Sequence, residues 1–185
     1  MTLTKTPICD FGKRAESFSL KSTESKTVSL NDVRGKNGTL IMFICNHCPY
    51  VKAVIDDIVN DSNILKKEGI NFLAIMSNDV KNYPEDSFDN MIKFAKENHF
   101  NFPYLIDETQ EIAKTYGAVC TPDFFGYNSN LELQYRGRIR ELKELKPVRS
   151  GDSELLNAMR MVAQTGKGPK DQVPSMGCNI KWLDK

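Results

Sequence analysis

The chain has 185 residues, 40% hydrophobic and 26% charged, with a formal net charge of +1. That is enough chain to bury a core without covalent staples, and so even a balance offers no field for nucleic acid or an anionic membrane surface, so neither is expected as a partner. No run approaches the ~18 apolar residues of a membrane-crossing helix, and the opening Met1-Thr-Leu-Thr-Lys-Thr-Pro7 has no apolar stretch of the signal-peptide kind, so the cytoplasm is the expected location. Five cysteines, an odd number at uneven spacings, do not make the disulfide framework of a small secreted protein.

In chain order, the first dozen residues are polar and show no period. Ser17 to Leu30 reads as a hairpin: Phe18 and Leu20 alternate with polar neighbours, Glu24-Ser25-Lys26 turns, and Val28 and Leu30 alternate again. After a loop at Arg34–Gly38, Thr39 to Ile44 is apolar throughout, as in a parallel strand covered on both faces. Val51, Val54, Ile55, Ile58 and Val59 then mark one face of a helix beginning near Pro49, where a missing N–H costs nothing. Ile70 to Met76 is a second buried strand. Pro84-Glu85-Asp86 opens another helix, with Phe88, Met91, Ile92 and Ala95 on one face, and Phe102 to Ile106 is a short apolar segment. Asp107-x-x-Gln110 has the form of a capping box, and Gly117 sits where a helix C-cap glycine belongs. Phe124–Tyr127 and Leu131–Tyr135 flank Asn128-Ser129-Asn130 as a hairpin; Leu155, Leu156, Met159, Val162 and Ala163 give a last helix; Gly166 to Lys185 is aperiodic. Strands alternating with helices, then a closing hairpin and helix, predict an α/β sandwich with a mixed sheet.

The chemistry concentrates at Cys45-Asn46-His47-Cys48, a Cys-x-x-Cys where a buried strand passes to an amphipathic helix. A helix start offers unpaired N–H groups and partial positive charge, which favour thiolate over thiol. A second cysteine three residues on lies within disulfide reach. Cys45 is therefore expected to attack and Cys48 to resolve, with the His47 imidazolium lowering the thiolate pKa further. Reduced packing cysteines, or a metal site, would account for the pair differently, although tetrahedral zinc wants four ligands and no second close Cys/His pair exists; no cofactor and no metal is expected. At Val119-Cys120-Thr121-Pro122-Asp123, a proline directly before an apolar strand fits a cis X–Pro bond turned toward the site or an ordinary trans proline at a strand's first position. In the first case Thr121 would offer backbone hydrogen bonds to an extended substrate.

The strand–CxxC–helix and the later Thr-Pro before a hairpin resemble the thioredoxin superfamily. Glu16-Ser-Phe-Ser-Leu20 and Thr27 to Lys36 are similar to the opening of the AhpC/TSA peroxiredoxin group. Phe43–Val51, Ser77–Val80, Tyr83–Asp86, Tyr104–Thr109, Val119–Phe125 and the tail Pro174–Trp182 resemble its peroxiredoxin-like thioredoxin-family branch, over roughly residues 14 to 182. The resemblance implies a thioredoxin-like three-layer sandwich: an N-terminal extension over 1–13, a domain over 14–165 opening on a β-hairpin, and a C-terminal tail over 166–185 packed on it. It also implies a cis Pro122. The activity implied is thiol–disulfide exchange on a protein or small-molecule disulfide, with thioredoxin or glutathione as reductant and an antioxidant or redox-homeostasis role. The alternatives are a thiol peroxidase acting on a peroxide, and a non-enzymatic redox sensor or metal-binding protein. In peroxiredoxins a Thr or Ser stands three residues before the peroxidatic cysteine, whose counterpart here is Cys48; Cys45 takes that place, and Ile41 stands where the pattern has Pro. Arg136, Arg138 and Arg140 are candidates for the peroxidase arginine. Asn46-His47 replaces the Gly-Pro of thioredoxin, a histidine placement similar to that of protein disulfide isomerases, which implies a couple less reducing than thioredoxin's roughly −270 mV. The fold would bring Cys120 near Cys45, and Ile180 and Trp182 would anchor the tail and bring Cys178 near the pair; both are candidate relay thiols, with burial as small apolar residues the alternative for Cys120.

Overall fold

A computed structural model describes residues 2–184. Its elements follow from burial on two faces of one sheet. β1 (Leu3–Lys5) leads into the hairpin β2 (Ser19–Ser22) and β3 (Thr27–Ser29), then a one-turn helix α1 (Leu30–Val33). β4 (Gly38–Phe43) is buried along its whole length and is followed by α2 (Pro49–Lys66) and β5 (Ile70–Met76). After a 3-10 turn at Pro84–Asp86 come α3 (Phe88–Glu97), β6 (Tyr104–Ile106), α4 (Glu111–Tyr116), β7 (Cys120–Thr121), β8 (Asp123–Tyr127) and β9 (Leu133–Tyr135). A small hairpin of β10 (Leu142–Lys143) and β11 (Lys146–Pro147), α5 (Glu154–Thr165) and β12 (Met176–Asn179) complete the order.

Seven strands form the central sheet in the order β3-β2-β6-β5-β4-β8-β9. β4, β5 and β6 run parallel, and the flanking pairs are antiparallel. Alternation along β4 divides the core. Leu40, Met42 and Ile44 pack with Val51, Val54 and Ile58 of α2, Met91 of α3 and Leu155 of α5. Ile41 and Phe43 pack on the other face with Leu30, Val33, Ala113 and Tyr116. A strand sandwiched in this way has no polar face, which is why Thr39–Ile44 reads as an unbroken apolar run. The result is the expected three-layer α/β sandwich.

Several boundaries differ from the sequence reading for local reasons. Leu30 begins α1 instead of ending a strand, because Ser29 and Asp32 form a reciprocal capping box there. The helix expected from Pro84 is divided: Ser87, with extended ψ of 157°, interrupts it and caps α3 through Asn90 N–H. Asp107 does cap α4, accepting from the N–H of Ala113 at 2.9 Å, but Gln110 does not reach back. Its amide instead donates to the carbonyls of Ser77 and Lys181, and its oxygen accepts from Leu183 N–H. Gly117 ends α4 in the left-handed region at φ +71°, as expected of a C-cap glycine.

The ends of the chain, which carry no period, are nonetheless ordered in strands. β12 lies between β1 and β7 in a separate three-stranded sheet, with Leu3 opposite Cys178 and Cys178 opposite Thr121. Beyond it Ile180 is buried in the second core cluster, while Trp182 is 41% exposed with the Lys114 ammonium 5.7 Å from its ring. Among the described residues no helix is long and apolar enough to cross a membrane.

Ile58 is fully buried where α2 meets the sheet. Ile58→Ala is expected to lower unfolding free energy by about 2–5 kcal/mol, measured by chemical denaturation; a loss under about 0.5 kcal/mol would show that α2 is not held by this face.

Candidate active site

β4 ends at Phe43, and the next five residues cross from the sheet to α2. Cys48 is the N-cap of that helix, with extended backbone and Pro49 at the first helical position, and no side chain caps the helix start. The open N–H groups of the first turn therefore face the Cys48 sulfur. Cys45 lies in the loop before it.

The loop is fixed from beneath by Asp86, whose carboxylate is fully buried. One oxygen accepts from the backbone N–H of Asn46 at 2.8 Å. The other accepts from the Asn78 amide at 2.9 Å and lies 2.7 Å from His47 Nδ1. Asn46 is tied a second time, its side-chain oxygen accepting from the buried Tyr104 hydroxyl at 2.8 Å. His47 stacks on Tyr83 with ring centroids 5.9 Å apart. The bond to Asp86 raises the His47 pKa against the opposing effect of burial.

Opposite the loop, the Thr121–Pro122 peptide bond is cis, as the resemblance implied. Thr121 touches both expected thiols: its hydroxyl is 3.5 Å from Cys45 Sγ, and its carbonyl is 3.3 Å from Cys48 Sγ, to which the thiol form donates. A third sulfur completes the cluster. Cys178 Sγ, carried by β12, is 2.6 Å from Cys48 Sγ. Cys45, Cys48 and Cys178 are each at most 1% exposed.

The three sulfurs divide one negative charge unequally. Hydrogen bonds from Cys178 and Cys45, assisted by the Thr121 side chain and the Val51 N–H, lower the Cys48 pKa far below the ordinary thiol range. Cys45 is pushed well up, because its thiol donates to Cys48, because it is buried, and because Asp86 is negative. Cys178 is pushed up for the first two of these reasons. The helix start and these donors converge on Cys48, whereas the sequence reading places the attacking thiolate at Cys45. His47 is paired with Asp86, and the charge of Cys48 raises its pKa as well.

Cys120 is buried behind the cis-proline, its thiol 3.6 Å from the Pro122 carbonyl, and burial keeps it protonated. Arg136 pairs with buried Asp123, Arg138 with Glu154, and Arg140 with Asp57, so each guanidinium is committed to a carboxylate. Cys45, His47 and Asp86 bring a sulfur, a nitrogen and an oxygen within 4.8 Å of one another, one donor short of a tetrahedral zinc set, and the Asp86 oxygens already serve three partners. Asp86, Asn46, Asn78 and Tyr104 were not singled out from sequence, because single polar residues in turns, or at the start of a buried strand as Tyr104 is, carry no spacing signal.

The AhpC/TSA family model matches residues 11–142. The chain belongs to the AhpC/TSA family. It is similar over 100% of its length to the crystal structure of an uncharacterised conserved protein from Geobacillus kaustophilus, covering 98% of that chain at 40% identity and a TM-score of 0.94. It is 29% identical over 126 residues to the thiol-disulfide oxidoreductase ResA of Bacillus thuringiensis subsp. konkukian, covering 66% of each sequence, just under two thirds of that relative's own length. The thioredoxin domain of a thiol-disulfide oxidoreductase from Bacteroides vulgatus shares the fold at a TM-score of 0.58 and 16% identity, over 68% of this chain and 86% of that one. The architecture is thioredoxin-like. Within the AhpC/TSA family, this member carries cysteine at position 45 where the peroxiredoxin pattern has a hydroxyl residue.

Two measurements check these electrostatics. In the reduced protein, thiolate ultraviolet absorbance should persist at about pH 6, well below the ordinary thiol pKa of ~8.5, and vanish in Cys48→Ser but not in Cys45→Ser; the converse pattern would return the thiolate to Cys45. His47 has a raised folded pKa, so its share of stability is complete below the unfolded value of ~6.5 and is lost as pH rises through the folded value. Asp86→Asn should move the His47 NMR titration downward and flatten that part of the stability profile; an unmoved titration would show that Asp86 is not the cause.

Proposed function

We propose that this AhpC/TSA protein is a thiol–disulfide oxidoreductase that cycles through Cys45 and Cys48. The observation that supports it most is the placement of Cys48 at a helix start, with Cys45 three residues before it and Thr121 of the cis-proline peptide within 3.5 Å of both sulfurs. The Cys48 thiolate attacks a substrate disulfide and displaces one substrate sulfur, which takes a proton and leaves as a thiol. The resulting mixed disulfide is resolved when Cys45 gives up its proton and attacks Cys48 Sγ. The second substrate thiol departs, and a Cys45–Cys48 disulfide remains. A thiol reductant of the thioredoxin or glutathione class returns the two electrons. A cleft of about 400 Å³ beside the cis-proline, walled by Tyr50, Val54, Pro122, Phe124 and Leu142, suits an apolar side chain next to a substrate cysteine. This chemistry fits a role in redox homeostasis in a reducing compartment such as the cytoplasm.

A second reading, thiol peroxidase, is favoured by the same Cys48 thiolate, because it stands where peroxiredoxins hold the peroxidatic cysteine. Peroxide would oxidise Cys48 to a sulfenic acid, and Cys45 would condense with it, releasing water. The commitment of Arg136, Arg138 and Arg140 to carboxylates weighs against it.

Dithiothreitol-driven reduction of a protein disulfide such as that of insulin tests the first reading. Cys48→Ser should lower the rate on the order of 100-fold or more, and Cys45→Ser should slow turnover because no Cys45–Cys48 disulfide can close the cycle. Wild-type rates in both variants would overturn it. Cys48-dependent consumption of hydrogen peroxide without disulfide exchange would assign the second reading instead.

A further inference from the structure

The thiolate expected to attack a substrate has no exposed surface, and what covers it is the chain's own last strand. β12 pairs antiparallel with β7 along the backbone just before the cis-proline, Cys178 opposite Thr121 and Asn179 opposite Cys120. That is the edge an extended substrate would use for β-augmentation. The strand brings a sulfur with it, Cys178 Sγ at 2.6 Å from Cys48 Sγ. Its neighbour Gly177 lies so close to the edge that a Cβ there would sit 1.9 Å from the Thr121 carbonyl oxygen and 3.2 Å from the Pro122 ring. Glycine permits this approach because it has no side chain.

The strand is held by its backbone ladders to β1 and β7 and by polar bonds at its two ends. On one side, the Ser175 hydroxyl donates to the Pro122 carbonyl, and the Ser175 carbonyl accepts from Thr6 N–H. On the other, Lys181 N–H donates to Asn78, and the Lys181 carbonyl accepts from Asp79 N–H and the Gln110 amide. Segments bound mostly by exchangeable hydrogen bonds open at lower free energy than packed core elements.

We propose that β12 occupies the substrate's own position, and that Cys178 is a third redox-active residue which forms a disulfide with Cys48 inside the chain. This rests on the function proposed above and gives it a step. With the strand displaced, the Cys48 thiolate attacks a substrate disulfide and releases the first substrate thiolate, which takes a proton from solvent. The strand then reseats. Cys178 attacks Cys48 Sγ, its proton passing to the departing substrate sulfur, and a Cys48–Cys178 disulfide closes the site as the substrate leaves as two thiols. Cys45 in turn attacks Cys48 Sγ, reprotonating Cys178, forming the Cys45–Cys48 disulfide and freeing the strand.

The test is treatment of the full chain with oxidised glutathione, followed by non-reducing peptide mapping. In Cys45→Ser, Cys48 should be recovered joined to Cys178, with no lasting glutathione adduct. In Cys45→Ser/Cys178→Ser the adduct on Cys48 should persist. A persistent adduct in Cys45→Ser alone would overturn the proposal, and a Cys45–Cys48 disulfide in wild type would then leave the proposed function standing. Failure of Cys48 to react in every variant would overturn both. Gly177→Ala gives an independent reading: alkylation of Cys48 in the reduced protein should accelerate about tenfold or more as the strand is unseated, with the far-ultraviolet spectrum unchanged. An unchanged rate in that folded variant would count against the strand as the cover.

Discussion

A buried carboxylate sets the loop on which both helix-start sulfurs ride. Asp86 comes from a 3-10 turn some forty residues later in the chain, yet it accepts from the backbone N–H of Asn46 and the amide of Asn78 and pairs by charge with the His47 imidazole. Removing it would leave those donors buried without a partner, which costs more than an ordinary hydrogen bond contributes. Its charge also disfavours a second negative charge nearby, and Cys45 feels that directly. The asymmetry between the sulfurs has several sources: the neighbouring Cys48, burial and then Asp86 disfavour ionisation of Cys45, while the helix start and nearby donors favour it at Cys48.

The sheet and its helices were legible because their residues repeat. β5 occupies Ile70–Met76 as read, and the apolar face from Val51 to Val59 does lie along α2. Periodicity is the imprint of burial on one or both faces, and these elements are buried along their length. β1 and β12 left no such imprint. They are short, and their pairing is carried by backbone groups and by a glycine whose value is the atom it lacks. No alternation of side chains records that.

At the site, the cysteine pair and the cis Thr121–Pro122 were visible, the first from its strand–helix context and the second from family resemblance. The contacts around each sulfur were not. The sequence places Cys45 ahead of the helix and Cys48 at its start, but only the fold brings Asp86 beside one and Cys178 beside the other. Electrostatics of this kind depends on contacts of long sequence separation, here 130 residues between two sulfurs. Gln110 is a smaller case: a plausible capping residue by spacing, it was recruited to hold the segment that follows β12.

Trp182 is the chain's one tryptophan, and it stands three residues past the end of β12, half in solvent with a lysine ammonium over its ring. Indole emission responds to hydration and to nearby charge. The protein thus carries its own optical gauge for the proposed displacement of the last strand, readable in real time and without a label. With no other indole to dilute the signal, stopped-flow fluorescence would follow the opening and closing of the thiol cluster alongside the chemistry itself.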